Sequence, residues 1–353
     1  MSPARARSAR VRVLVVDDSQ ASRSAIEAML KDRPGLLHAG SAADGEDALR
    51  AAIRLKPDVI VLDLNMPRMD GFTFLRLLMA QRPTPVVVLS SHARRSDVFK
   101  ALDLGALDFV AKPEGTTSLE AVREALVEKC ETLGRVETWN LRGAVSATRD
   151  RPGARASVEP ARVVVVGAST GGPQALQRML TALPGTVPLA VLVAQHMPEK
   201  FTATFAERLA RTTAFSVQEA REGDVVAIGR VLVAPGGHHL VLERDGTGVL
   251  RVALRDHDPA ERTRYCPSVD LLFSSAARTM GRRACAVVLT GMGNDGRLGV
   301  RDVKEAGGLT LAEAESSAVV YGMPLAAVET GAVDEELPLD DLVTRIERFA
   351  RGE

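Results

Sequence analysis

Residues 11–19 read VRVLVVDDS, a run of branched apolar side chains that ends in two aspartates and a serine. Apolar runs of similar form return at residues 59–62 (VIVL) and 86–89 (VVVL). None of these runs alternates with polar residues, which is typical of strands buried on both faces of a parallel sheet. Stretches with helical spacing lie between them, at residues 22–31, 44–55 and 72–81. The sequence therefore predicts a doubly wound α/β domain over residues 1–130.

A second series of strand and helix patterns follows a segment that has no apolar periodicity. Residues 131–160 contain many Gly, Pro, Arg and Ser residues and are predicted to be a linker. VVVV at residues 163–166 then begins a second α/β domain, over residues 161–353. We expect its sheet to be mostly parallel, with antiparallel strands near residues 230–255.

The composition narrows the classes of function. The 353 residues suffice for two domains, and 46% hydrophobic with 25% charged residues is typical of a folded chain. Forty-five basic residues balance 45 acidic ones, so the chain has no net positive charge that would attract nucleic acid. Three cysteines without a CxxC pair indicate a reducing compartment. No apolar segment is long enough for membrane insertion, and we expect a cytoplasmic protein.

The first group of candidate functional residues follows the strands of the first domain. Open parallel α/β sheets bind ligands at the carboxyl ends of their strands, where this chain has Asp17, Asp18, Asp63, Ser90 and Lys112. Three carboxylates at one edge repel one another unless a cation lies among them, and Mg²⁺ prefers such hard oxygen ligands. The hydroxyl and the ammonium could then hold a phosphoryl group on one aspartate. For any single aspartate, the alternative is a helix cap or a solvated turn.

The motifs VVDDS, VLDLNMPRMDG, VVVLSS and ALDLGALDFVAKP, in this order, resemble the receiver domain of two-component response regulators. The resemblance implies a flavodoxin-like fold in which a histidine kinase provides the phosphoryl group and Asp63 accepts it. It also implies Mg²⁺ ligation by Asp18, Asp63 and the backbone carbonyl of Asn65, with Asp17 supporting the ion through water. The remaining residues implied are the switch hydroxyl of Ser90, the aromatic switch Phe109 and the phosphate partner Lys112.

The second group begins at a serine between glycines. In VVVVGASTGGPQALQRML, residues 163–180, a strand gives way to a helix, and the turn presents Ser169 next to free N–H groups of the helix. Ser169 is therefore a candidate nucleophile. The glycines could instead cradle a phosphate, although the Walker lysine and the GxGxxG spacing are missing, or they could form a plain tight turn.

A nucleophilic serine needs a base and an orienting acid. His196 ends the next predicted strand, LAVLVAQ, whereas His238 and His239 fall in a predicted PGGHH turn and His257 falls in a charged loop. The strand AVVL leads into TGMGNDG, which places Asp295 at the same edge of the sheet. The spacing thus predicts Ser169 as nucleophile, His196 as general base and Asp295 as orienting acid.

GASTGGP, QHMP, CPSVDLLFSSAA and LTGMGNDG together resemble the catalytic domain of the chemotaxis protein-glutamate methylesterases, the CheB family. The resemblance implies hydrolysis of glutamate methyl esters on methyl-accepting chemotaxis receptors, with release of methanol, and deamidation of receptor glutamines. It implies no cofactor for hydrolysis, and a chemotaxis histidine kinase as phosphodonor. Beyond the three residues above, it assigns oxyanion stabilisation to the N–H of Met292 and to the region of Thr170.

The resemblance also implies that the unphosphorylated receiver covers the catalytic face and that phosphorylation weakens this contact. Two other functions remain as alternatives. The second domain could bind a partner without catalysis, in which case the serine turn is structural. A DNA-binding second domain is the weaker alternative, because no helix-turn-helix or basic surface follows the linker.

Overall fold

The computed structural model describes residues 10–31, 33–90, 95–112, 119–136, 159–257 and 265–353. The chain divides into two compact units, Met1–Ala144 and Val145–Glu353. Most of the predicted linker lies outside the described residues, but its first three residues belong to a helix that ends at Leu133. No helix in the described ranges combines the length and the apolar character that a membrane span requires.

In the described residues of the first unit, five strands alternate with five helices. They are β1 (Val11–Val16), α1 (Gln20–Lys31), β2 (Leu36–Ala42), α2 (Gly45–Leu55), β3 (Val59–Asp63), α3 (Gly71–Gln81), β4 (Val86–Ser90), α4 (Arg95–Asp103), β5 (Asp108–Ala111) and α5 (Leu119–Leu133). All neighbouring strands are parallel, in the order β2-β1-β3-β4-β5. This order is that of a flavodoxin-like sheet and confirms the predicted doubly wound fold.

The apolar runs become strands because both faces of this sheet are covered. Every residue of β3 and β4 is buried, as expected for central parallel strands. Aspartates start two of the helices: Asp44 accepts hydrogen bonds from backbone N–H groups at the start of α2, and Asp70 accepts one from Thr73 in α3. Because all neighbouring strands are parallel, their carboxyl ends lie at one edge of the sheet.

The second unit contains a larger sheet and a separate hairpin. Its elements are β6 (Arg162–Ala168), α6 (Gly172–Ala182), β7 (Leu189–Gln195), α7 (Phe201–Thr212), β8 (Ser216–Glu219), β9 (Arg230–Val233), β10 (His238–Arg244), β11 (Leu250–Asp256), α8 (Val269–Met280), β12 (Ala284–Val288), α9 (Arg297–Glu305), β13 (Leu309–Glu313), α10 (Met323–Val328), β14 (Glu335–Leu337) and α11 (Leu339–Arg351). Seven strands pair in parallel in the order β14-β13-β12-β6-β7-β9-β8, which confirms the predicted parallel sheet. The antiparallel strands expected near residues 230–255 are those of the β10–β11 hairpin, whereas β9 in the same range pairs in parallel with β7.

The register of three central strands brings the predicted catalytic residues to one edge. β6 lies between β7 and β12, with Ala168 opposite Gln195 and Gly167 opposite Val288. The residue after each pair therefore leaves the sheet at the same carboxyl edge. Ser169 follows Ala168, and His196 follows Gln195. The two side chains thus start from adjacent strand ends.

Helix α8 is attached to the hairpin through polar side chains. The hydroxyl of Ser275 accepts the backbone N–H of Leu242 at 2.9 Å, and the hydroxyl of Thr279 donates to the Leu242 carbonyl at 2.9 Å. Both backbone groups of this buried strand residue therefore bind α8 side chains. The hairpin consequently helps to set the position of α8.

Candidate active site and phosphorylation site

Two aspartates and a lysine meet at the carboxyl edge of the first sheet. The ammonium of Lys112 lies 2.6 Å from a carboxylate oxygen of Asp63 and 3.2 Å from one of Asp17. Both carboxylates are buried, whereas Asp18 is exposed. Burial alone would lower the pKa of Lys112, but its hydrogen bonds to Asp63 and Asp17 and their charges outweigh burial and raise that pKa above its usual value.

The charge at this edge suits a divalent cation. Among the described residues, one ammonium faces the two buried carboxylates, and the carboxylate of Asp18, which follows β1 like Asp17, adds a third negative charge. This excess of negative charge, built from hard oxygen donors, fits Mg²⁺. The backbone N–H of Asn65 donates to Asp63 at 2.9 Å, which holds the following loop against the carboxylate.

The other predicted receiver residues lie on neighbouring strands. Ser90 is buried at the end of β4, and its carbonyl accepts the backbone N–H of Lys112 at 2.7 Å. Phe109 is buried in β5, where it pairs with Val88 of β4. The structure therefore brings Ser90 and Lys112 to the edge that carries Asp63, and places Phe109 within the adjacent strand.

Ser169 lies in a tight turn between β6 and α6. Its backbone N–H donates to the Thr290 carbonyl at 3.1 Å, and its carbonyl accepts the N–H of Gly172 at 2.8 Å. Gly171 has a φ of 79°, a left-handed conformation that favours glycine. Gly291 approaches so closely that a Cβ there would lie 2.9 Å from the Ser169 Cβ. The glycines thus let two loops converge on the serine.

His196 is joined to Asp295 by a short hydrogen bond. Its Nε2 donates to Asp295 Oδ2 at 2.8 Å, while its Nδ1 is buried and has no hydrogen-bond partner among the described residues. Trypsin-like enzymes use the opposite nitrogens, with Nδ1–H facing the acid and Nε2 facing the serine. Here Nδ1 is the ring nitrogen that can accept the proton of the serine, and no hydrogen bond joins it to Ser169 in this structure.

Asp295 is buried against the start of α8. Backbone N–H groups of Val269 and Asp270 donate to its carboxylate at 2.7 and 2.9 Å, and the hydroxyl of Ser268 lies 3.3 Å from it. Burial alone would raise the pKa of Asp295, but the hydrogen bond and charge of His196, with these N–H groups, hold that pKa below its usual value. The orienting acid is therefore kept ionised.

The predicted oxyanion residues lie on two loops beside the serine. Thr170 is buried, and its carbonyl accepts the Thr290 hydroxyl at 3.0 Å. The backbone N–H of Thr290 in turn donates to the buried carboxylate of Glu313 at 2.8 Å. Met292 follows two residues after Thr290 on the same loop and is half-buried. Both loops therefore flank Ser169.

Two side chains at this edge were not singled out from the sequence. The amide of Gln195 donates to the carbonyls of Ser169 and His196 at 2.9 and 3.1 Å, so it joins the two residues. The ring of Tyr265 stacks on the His196 ring, with centroids 4.5 Å apart. Gln195 could have been noticed as a polar residue ending a buried strand, whereas Tyr265 lies in a segment without periodicity and gave no such signal.

The comparisons with known proteins agree with this geometry. Residues 164–346 match the family CheB methylesterase, and residues 13–124 match the response regulator receiver domain. Over 342 residues, the chain is 64% identical to the protein-glutamate methylesterase/protein-glutamine glutaminase 6 of Anaeromyxobacter dehalogenans (strain 2CP-C), covering 97% of this chain and 96% of that protein. It is 49% identical over 361 residues to the protein-glutamate methylesterase/protein-glutamine glutaminase 3 of Geobacter sulfurreducens (strain ATCC 51573 / DSM 12127 / PCA), covering 96% of each.

A solved structure extends the comparison to the fold. The crystal structure of the Thermotoga maritima CheB methylesterase catalytic domain is 37% identical, with a TM-score of 0.51. The match covers 53% of this chain and 97% of that chain. With a matching family over more than half of its length and relatives that align along nearly all of it, this chain belongs to the CheB methylesterase family and carries a response regulator receiver domain before its catalytic domain.

Proposed function

We propose that this protein is a phosphorylation-regulated hydrolase that removes methyl esters from glutamate side chains of chemotaxis receptors and deamidates receptor glutamines. The relatives that carry the names of these two activities align along nearly the whole chain. The observation that carries the proposal is the 2.8 Å hydrogen bond between His196 and the buried carboxylate of Asp295, one strand away from Ser169. A purely structural serine turn requires no such imidazole–carboxylate pair.

The first half of the reaction forms an acyl-serine. Ser169 Oγ attacks the carbonyl carbon of the ester while its proton moves to Nδ1 of His196, and the buried carboxylate of Asp295 stabilises the imidazolium. The tetrahedral intermediate then collapses, the bond to the methoxy group breaks, and the imidazolium returns the proton to the leaving group. Methanol is released, and the glutamyl group remains esterified to Ser169.

The second half of the reaction restores the enzyme. Water loses a proton to His196 as it attacks the acyl-serine, and the proton then returns to Oγ of Ser169 when glutamate leaves. A glutamine side chain follows the same route with ammonia as its leaving group. We assign the oxyanion donors to the N–H of Met292 and to the region of Thr170, because their loops flank the serine. Loss of one such donor lowers kcat by about 10²- to 10³-fold.

In the receiver domain, we assign phosphorylation to Asp63, with Lys112 as partner of the phosphoryl group and Ser90 and Phe109 as switch residues. Asp18, Asp63 and the carbonyl of Asn65 would hold Mg²⁺, with Asp17 acting through water. When bound, the ion would neutralise part of the negative charge of the phosphoryl group.

We place the receiver domain at residues 1–130 plus the end of α5, and the methylesterase domain at residues 161–353. A chemotaxis histidine kinase is the proposed phosphodonor. The substrate glutamates lie on receptor helices on the cytoplasmic side of the membrane, so we propose that the enzyme acts in the cytoplasm.

Methanol release from methylated receptor, with and without a small-molecule phosphodonor, tests the function. We expect release that increases with the phosphodonor, and an acyl-enzyme at Ser169 that hydroxylamine cleaves. No release from any methylated receptor would contradict the proposed function. Unchanged release by Ser169→Ala would leave the function standing but exclude the covalent serine mechanism.

A further inference from the structure

His239 lies in strand β10 and is fully buried, whereas the sequence predicted a turn at this position. Its Nδ1 accepts the backbone N–H of Ser268 at 3.1 Å. A ring nitrogen that accepts a hydrogen bond carries no proton, so the neutral imidazole has its proton on Nε2. The contact therefore determines the tautomer of this buried histidine.

The other nitrogen of His239 faces two potential metal ligands. Its Nε2 lies 3.4 Å from Nδ1 of His257, and one ring nitrogen of each histidine lies within 4.8 Å of the thiol of Cys266. Nitrogen and sulfur donors of this kind can hold zinc. A proton on Nε2 already accounts for the contact between the rings, and a metal there would move that proton to Nδ1, against the N–H of Ser268. The tautomer therefore favours a hydrogen-bonding role.

Ser268 connects His239 to the candidate active site. It is the N-cap of α8, and its hydroxyl lies 3.3 Å from the carboxylate of Asp295. The next two residues, Val269 and Asp270, donate their backbone N–H groups to the same carboxylate at 2.7 and 2.9 Å. The orientation of the Ser268 backbone thus decides how the first turn of α8 meets Asp295.

We propose that His239 is a positioning residue of the methylesterase reaction. By accepting the N–H of Ser268, it holds the start of α8 in the orientation in which this helix binds Asp295, and Asp295 orients His196. The inference rests on the proposed function and adds a residue to it. His239 acts through Asp295.

Two variants of the full-length protein separate the effect of losing the hydrogen-bond acceptor of His239 from the effect of losing its ring volume. In His239→Asn, the amide oxygen reaches about the position of Nδ1 and accepts the N–H of Ser268, whereas His239→Leu has no acceptor. We expect His239→Leu to lower kcat for methyl ester hydrolysis about 10- to 100-fold with KM changed less than about twofold. His239→Asn should recover most of kcat.

His238→Leu is the matched control. This neighbour in β10 is half exposed and pairs with Asp256 across the hairpin at 3.1 Å. The variant changes the same residue type in the same strand but leaves the Ser268 contact intact. We expect its kcat and KM to equal those of the wild type.

A double-variant cycle tests whether His239 acts through Asp295. In an Asp295→Asn background, His239→Leu should lower kcat less than about twofold further, because the interaction that it supports is already lost. Additive effects of the two substitutions would overturn the proposal.

Circular dichroism melting of every variant provides the folding control. If His239→Leu does not fold, His239→Gln takes its place, because its amide reaches the Nε2 position instead and should also lose kcat. The proposal is overturned if the variant without the acceptor keeps wild-type kcat, or if His239→Asn is as impaired as His239→Leu. It is also overturned if EDTA lowers wild-type kcat and zinc restores it. Lack of esterase activity in the wild type would instead contradict the proposed function, before any variants are compared.

Discussion

Asp295 receives hydrogen bonds from three directions at the candidate active site. Its carboxylate accepts the Nε2–H of His196 and two backbone N–H groups of α8, those of Val269 and Asp270. An amide side chain at position 295 could not satisfy all of them, because its NH₂ group would face at least one of these donors in either orientation. The geometry thus requires a carboxylate here for two reasons, orientation of the imidazole and attachment of the helix.

Substitution of the three edge residues should separate these roles. We expect Ser169→Ala and His196→Ala each to lower kcat by at least about 10⁴-fold without loss of folding, since both residues participate in proton and acyl transfer. Asp295→Asn should lower kcat by about 10²- to 10⁴-fold and also lower the unfolding midpoint, because a buried N–H loses its acceptor. Steady-state methanol release and thermal melts measure both effects, and a wild-type kcat in Asp295→Asn would contradict the assigned role.

The sequence predicted which residues meet at this edge but not how the imidazole is turned. Ser169 and His196 follow parallel strands, and parallel strands end at a common edge, so their proximity required no side-chain information. The use of Nε2 toward Asp295 depends on side-chain torsions that Asp295 and the stacked Tyr265 determine in the folded chain. The catalytic roles themselves stay predictions until the variants are measured.

At the scale of elements, the first turns of helices α8 and α9 each donate backbone N–H groups to a carboxylate of the other segment. Asp295 precedes α9 and accepts N–H groups of α8, while Asp270 in α8 accepts the N–H groups of Leu298 and Gly299 in α9 at 2.9 and 2.7 Å. Each helix start therefore depends on a carboxylate from the other segment. Only one of the two carboxylates, that of Asp295, faces His196, so the other can be neutralised without direct loss of the catalytic charge.

Burial, together with the charge of Asp295, raises the pKa of Asp270 to about 6, although the N–H groups of α9 act in the opposite direction. Between about pH 4 and 6, the folded protein keeps a proton on Asp270 that the unfolded chain releases. The free energy of unfolding therefore falls as the pH rises through this window. Above it, the ionised side chain destabilises the fold.

We therefore expect Asp270→Asn to raise the free energy of unfolding at pH 7.5 by about 1 kcal/mol, a value reduced for partial exposure and solvent screening. The Asn oxygen still accepts the N–H groups of α9, and the pH dependence between about pH 4 and 6 should flatten. Urea unfolding of residues 161–353 measures this, since the corresponding domain of a relative has been solved alone. Asp341→Asn, at an exposed position, is the control, and an equal gain there would count against the explanation.

Some strands could be predicted from the sequence, whereas the start of another could not. Strands β3, β4 and β7 were visible as unbroken apolar runs because every one of their residues is buried. Strands β2, β8 and β14 gave no such run, because they are only partly buried. The start of β10 was predicted as a turn because PGGHH contains turn residues and two polar side chains. Burial of His239 against Ser268 of α8 stabilises strand structure there, and this contact spans residues distant in sequence.

At the scale of the whole molecule, we expect phosphorylation at Asp63. Asp63→Asn should abolish labelling by a small-molecule phosphodonor in Mg²⁺, because the neutral amide that replaces the carboxylate beside Lys112 cannot form an acyl phosphate. Asp58→Asn is the matched control, since Asp58 precedes the same strand and accepts the backbone N–H of Arg12 at 2.8 Å. Labelling of Asp63→Asn at the wild-type rate would show that another residue accepts the phosphoryl group.

If the receiver inhibits the enzyme, the two phosphorylation states must differ in access to the serine site. Phosphorylation adds about −1.5 to −2 charges beside Lys112 and Ser90, and a change from 1:99 to 99:1 in the open fraction requires about 5.5 kcal/mol. Asp63 is buried, so its phosphorylation can shift the equilibrium between open and closed states only by changing the contacts that the receiver domain makes. Receiver inhibition, as implied by the family resemblance, is one such change.

Removal of the receiver should then increase the methylesterase activity. We expect residues 161–353 to hydrolyse receptor methyl esters with a higher kcat/KM than the unphosphorylated full-length protein, because an inhibited state is no longer available to the fragment. A phosphodonor should activate the full-length protein but neither the fragment nor full-length Asp63→Asn. Methanol release at identical receptor concentrations, with and without the phosphodonor, compares the fragment, the full-length protein and full-length Asp63→Asn. If the fragment and the unphosphorylated full-length protein are equally active, the receiver does not inhibit, and phosphorylation must act by stimulating catalysis or by docking the enzyme to its receptor.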